Sequence, residues 1–277
     1  PKAIVVREGT TELSAAQEPK RTYTRTDEML YPRPKDSKRL ALGVWLLGLR
    51  NWTFSLFLGI IYLLFAWVLE SASRSNDLID GSLFTQFQGI LSFDAVVRLC
   101  WTAIRFSPAS VVFAAAVVIG LGLLTFSQKD LRPAILSWIG FVHGLLHILL
   151  ALALMWVIAH FLPFDPITGE FTIYFTIAML ALGWTAGATL FAVYIHLTST
   201  FTGAHNNEVF SSQAIEGYKN FMRFCVRNGD LHVYPIGLKD VPAKWELNPN
   251  RDCRDPFFEP VGTKIEPEII DGPFVVK

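Results

Sequence analysis

Charge is what this sequence has least of. Asp, Glu, Lys and Arg make up 17% of its 277 residues, against roughly 25% in soluble domains. The 24 basic and 24 acidic residues cancel, so no field of one sign steers the molecule toward nucleic acid or an acidic substrate. Cysteine is nearly missing too. Cys100, Cys225 and Cys253 are odd in number and have no C-x-x-C spacing, so they read as reduced thiols. Up to Arg39 there is no apolar segment of the kind a cleavable secretory signal needs. A start at Pro1 fits removal of an initiator methionine and equally a piece of a longer protein. No Ser-His-Asp set, phosphate-binding glycine loop or dinucleotide fingerprint is present.

What fills the chain is apolar: 52% hydrophobic residues, with 13% aromatic. Four runs, Asn51–Leu69, Pro108–Phe126, Ala134–Phe161 and Thr172–Leu197, contain no Lys, Arg, Asp or Glu. Each is close to or above the roughly 20 residues needed to cross a bilayer. Without water to satisfy the backbone, such runs must be helices. The expected fold class is an all-α membrane protein: a four-helix transmembrane bundle with an interfacial amphipathic helix and a small cytoplasmic β-hairpin tail. The division is a polar N-terminal arm (1–38), the transmembrane domain (39–200) and a C-terminal tail (201–277).

Orientation follows from Lys and Arg, which concentrate on cytoplasmic flanks. Ten precede the first run (Lys2, Arg7, Lys20, Arg21, Arg25, Arg33, Lys35, Lys38, Arg39, Arg50), and Lys129 and Arg132 lie between runs two and three. The loop between runs three and four has none. Both termini are expected in the cytoplasm. Between runs one and two, Phe87–Phe106 sets Ile90, Phe93, Val97, Trp101 and Ile104 on one face, apart from Asp94, Arg98 and Arg105. That pattern predicts one helix in the headgroup plane. Leu40–Leu49 reads either as a second, shorter interfacial helix or as an extension of the first span. In the tail, 221–236 alternates around Asn228-Gly229, a strong hairpin signal because both central residues of a type I′ turn need positive φ. Neither face of that hairpin is cleanly polar, so both are expected to be covered. Three candidates could pair with its edges: Ala3–Arg7, the C-terminal IIDGPFVVK, or a partner protein.

Candidate chemistry is sparse. His143 and His147 stand four apart in the third run and share one helix face. Such a pair is a haem, metal or proton-relay candidate or a structural clamp that hydrogen-bonds neighbouring helices; the clamp is the favoured reading. Gly183 and Gly187 form a G-x-x-x-G that admits a close helix crossing. Asp230 and His232 have a metal-hydrolase spacing without the companion motifs, so no metal site is expected there.

The run HNNEVFSSQAIEGYKNFMRF from His205, with VYPIGLKDVPAKW from Val233 and the stretch from Tyr31 to Leu69, resembles the C-terminal membrane region of bacterial metallophosphoesterases of the calcineurin-like superfamily. The most specific part is Asn207, Glu208, Phe210, Ser211, Ser212, Tyr218, Lys219, Asn220 and Phe221. The catalytic domain of that family precedes the region matched, and none of its metal-ligand motifs occurs in this chain. The resemblance therefore implies no catalytic residue, metal or other cofactor here; two divalent metals would belong to an upstream domain. It implies an anchoring and scaffolding module, serving either as a non-catalytic subunit or as the anchor of an active phosphoesterase whose catalytic domain precedes Pro1. A haem-binding or proton-relay subunit using His143 and His147 is the further alternative. Expected partners are the lipid bilayer and another membrane protein or a second copy, not nucleic acid.

Overall fold

The computed structural model describes residues 30–75, 81–126, 133–249, 252 and 256–276. The expectations placed on Ala3–Arg7, the rest of the arm to residue 29, Lys129, Arg132 and Cys253 lie outside the described residues. The chain forms two compact units. One is helical and covers Ala41–Ala214; the other joins the segment ending at Leu40 to the segment from Ile215.

The described chain begins with helix α1 (Pro34–Ala41), a 3-10 turn (Leu42–Leu46) and the short α2 (Leu47–Arg50). Asn51 then leaves helical geometry and accepts a hydrogen bond from Phe54 N at 3.3 Å, capping α3 (Trp52–Arg74). Leu40–Leu49 is thus spread over the end of α1, the 3-10 turn and α2, and the break at Asn51 separates it from α3 rather than making it an extension of that helix. Val44 and Leu47 are the buried anchors of this stretch, and Arg50 Nη1 donates to Gln213 Oε1 at 2.7 Å.

Past α3 come α4 (Leu83–Gly89), α5 (Phe93–Arg105) and α6 (Pro108–Phe126). The single interfacial helix expected over 87–106 is thus two helices. The break falls where Gly89 weakens the helix and Trp156 Nε1 donates to Ile90 O at 3.2 Å, taking a carbonyl for a tertiary bond. α4 is a buried plug, with Leu83, Phe84 and Phe87 inside. Glu70, buried at the end of α3, holds it by accepting from Ser82 Oγ (2.6 Å), Phe84 N (3.2 Å) and Arg74 Nε (2.6 Å). α5 turns Val96, Cys100 and Ala103 inward, leaves Phe93, Val97 and Trp101 exposed, and pairs Arg98 with Asp94 on its polar side.

α7 (Pro133–Phe161) and α8 (Gly169–Thr202) complete the long helices. Thr168 caps α8 through Phe171 N, and Gly203 ends it in the left-handed region at φ 73°. A short α9 (Asn206–Ser211) follows. Four helices, α3, α6, α7 and α8, are long and apolar enough to cross a membrane. They pack as two pairs, α3 with α8 and α6 with α7.

The other unit is mostly sheet. β1 (Lys219–Arg227) and β2 (Asp230–Leu238) form an antiparallel hairpin, closed by Asn228 (φ 53°) and Gly229 (φ 90°). β3 (Trp245–Leu247) and β4 (Phe258–Pro260) make a separate ribbon. The free edge of β2 is taken by β5 (Pro267–Ile269) and β6 (Phe274–Val276). Of the three candidate docking segments, the C-terminal one therefore pairs with the hairpin. The tail is a four-stranded sheet rather than a hairpin alone. Among the described residues, β1 is exposed along nearly its whole length, because the added strands extend the sheet sideways and do not lie across it.

Candidate functional site

Tyr62 sits midway along α3 and faces α7 and α8. Its Oη lies 2.5 Å from His147 Nδ1. His147 Nε2 in turn lies 2.9 Å from His143 Nε2, so the two histidines predicted to share a face touch each other. Two proton arrangements satisfy this string. When Tyr62 O–H donates to His147 Nδ1, His147 Nε2–H donates to His143 and His143 carries its proton on Nδ1. In the reverse arrangement, His143 donates to His147, and His147 donates to Tyr62. In both, His143 Nδ1 is buried with no hydrogen-bond partner among the described residues.

The His143 ring stacks on Tyr194 of α8, with centroids 3.7 Å apart and planes 6° from parallel. Tyr194 begins a second string. Thr125 Oγ1 on α6 donates to Leu121 O at 3.0 Å, so Tyr194 O–H donates to Thr125 at 2.5 Å, and His205 Nε2–H donates to Tyr194 at 3.0 Å. His205 is fully buried, in the left-handed region at φ 58°, where it precedes α9. Burial holds its imidazole below the ordinary 6.5, against the opposing pull of the Glu208 carboxylate 3.7 Å from Nδ1. Burial outweighs a partly exposed carboxylate at that distance.

Gly183 and Gly187 face α3. A Cβ on Gly183 would stand 3.0 Å from Gly59 Cα and 3.3 Å from Tyr62 Cβ, and one on Gly187 would stand 3.4 Å from Tyr62 Oη. These glycines therefore make the slot that Tyr62 occupies. The residues of the tail motif are divided between the two units. Asn207, Glu208, Phe210, Ser211 and Ser212 belong to α9 and its end, in the helical unit, whereas Tyr218, Lys219, Asn220 and Phe221 open β1. Tyr218 has φ 54°, and its ring meets Tyr31 at 5.9 Å. Asn228 and Gly229 form the hairpin turn, with Asp230 and His232 beyond it on β2.

Tyr62, Tyr194, Thr125 and Glu70 were missed from the sequence. A search of the other runs for histidines overlooks tyrosine, whose ring passes as apolar while its hydroxyl seeks a partner when buried. Among the described residues, no three His, Cys, Asp or Glu side chains converge as a metal site requires. No family model, curated protein or solved structure matches the chain.

Proposed function

We propose that this chain is an integral membrane anchoring and scaffolding module whose helices α3, α6, α7 and α8 cross the bilayer. The observation that carries this is the outward face of those helices. Leu64 (48% exposed), Leu123 (61%), Leu149 (51%) and Ile177 (59%) stand on four different helices. Apolar residues exposed on every long helix suit hydrocarbon and would aggregate in water. The ten Lys and Arg before α3, against none between α7 and α8, support termini on the cytoplasmic side of a bacterial inner membrane. Labelling of single cysteines in an otherwise cysteine-free chain tests this. A cysteine in the 163–168 loop is expected to react only from outside the cell; reaction only from the cytoplasm overturns the topology.

The metallophosphoesterase-like run from His205 to Phe224 supports a place beside such an enzyme, as a non-catalytic subunit or as the anchor of a catalytic domain ahead of Pro1. The mass of the polypeptide isolated from its source separates the two. A mass of 31.1 kDa means a subunit, and a larger one an anchor. His143 and His147 are read as a clamp, because their Nε2 atoms engage each other and Tyr62 takes the remaining nitrogen of His147. Purified protein is expected to show no haem absorption. A stoichiometric Soret band lost in His143→Ala overturns the clamp in favour of the haem reading.

A further inference from the structure

At the end of α3, a cleft of about 230 Å³ opens between α3, α4 and α8. Its floor is aromatic: Trp67, Phe84, Phe171 and Phe175, with the Phe84 ring 4.4 Å from Phe175 and 5.4 Å from Phe171. Its mouth carries Ser71, Thr172 and Arg74. Glu70 orients Arg74 through Nε alone. The two terminal nitrogens of this half-exposed guanidinium have no partner among the described residues. Glu70 is held by three donors and offsets the charge of Arg74. The result is a fixed, planar pair of N–H donors above an apolar slot, in a site without net charge.

We propose that this cleft binds a phospholipid, with the phosphodiester on Arg74 and the first methylenes of its chain on the aromatic floor. A guanidinium fork matches two phosphate oxygens. The aromatic floor favours a diester that carries a chain over inorganic phosphate, which has no apolar part to place there. Trp67 lies two turns, about 10 Å, below Arg74 and is half exposed, the depth at which tryptophans lie in membrane interfaces. This rests on the reading that the chain crosses a bilayer.

The test is native mass spectrometry of the full chain in mild detergent, titrated with phosphatidylglycerol, phosphatidylethanolamine, diacylglycerol or inorganic phosphate. Both phospholipids are expected to bind about tenfold more tightly than diacylglycerol, which lacks the phosphate, since hydrogen bonds to charged groups carry that order of effect. Arg74→Gln is expected to remove the difference. Ser71→Glu, which leaves the donors of Glu70 intact, is expected to remove it as well, so a folding defect in the first variant does not decide the matter. Equal binding of diacylglycerol, binding of inorganic phosphate as tight as phospholipid, or a difference unchanged in a folded variant would each overturn the proposal. Failure of the membrane reading shows separately, as release of the protein from membranes by alkaline carbonate.

Discussion

Where α3 crosses α8 and where α6 crosses α7, backbone lies on backbone; between these two pairs, side chain reaches to side chain. A Cβ on Gly59 would fall 2.6 Å from Leu180 O, and one on Gly144 would fall 2.6 Å from Val118 Cα. Across the pairs, Tyr62 of α3 meets His147 of α7, and Tyr194 of α8 meets Thr125 of α6. Small residues allow close van der Waals contact, the main attraction left when lipid is as apolar as the helix. They specify no rotation about the pair, whereas a buried hydroxyl that must find its partner does. The glycine seams make the pairs, and the tyrosine bridges set one pair against the other.

Breaking a seam is therefore expected to have the largest effect. Gly59→Leu and Gly144→Leu should each cost about 3 kcal/mol or more, since overpacking against backbone has nowhere to relax. The measurement is the fraction of monodisperse protein after extraction, and the melting temperature of what remains. Gly120→Leu is the control, because nothing lies within 4 Å of a Cβ built there; equal losses in all three would remove the distinction. Tyr62→Phe and Tyr194→Phe should cost less, on the order of 0.6 to 2 kcal/mol each, read as shifts in melting temperature. A Tyr62→Phe loss as large as that of Gly59→Leu would mean that bridges and seams are not separate devices.

The sheet unit extends the contrast, because one face of its exposed hairpin strand β1 is apolar. Met222, Phe224 and Val226 on β1 share a face with Pro235, Val233 and Leu231 on β2. Gly229→Val should cost about 1 to 2 kcal/mol, since φ of 90° is poorly adopted by other residues. The expected readout is faster amide exchange over 219–238 with the helices unchanged. Loss of helix protection together with the hairpin would refute the division into two units.

The smallest effects are those of pH and thiol chemistry. Because the folded His205 resists protonation at pH values where the unfolded chain, near 6.5, accepts it, the unfolded state binds more protons in that window. Stability should then fall as pH drops below 6.5 and stay flat above it. Melts at pH 7.5 and 5.5 should differ, and His205→Asn, which tolerates positive φ, should reduce the difference. Burial pushes the Cys100 thiol up to about 11, so at pH 8 it should react with a maleimide only after unfolding.

Much of this molecule was legible in advance. Long runs without charge can be satisfied only as helices, so the four long helices fall where composition puts them. The Asn228-Gly229 turn was equally readable, because positive φ at two successive residues restricts the choice of side chain. The break at Ile90 was not, since it depends on a bond from Trp156, 66 residues away. Nor were the partners of His143 and His147. Periodicity told that they share a face; only the crossing of α3 over α8, with Gly183 and Gly187 clearing the slot, put the Tyr62 hydroxyl against that face. Local sequence determines which segments must be helix or turn, because backbone satisfaction and φ are local. Which buried polar groups meet is decided by the packing of whole helices, because that pairing depends on residues far apart in the chain.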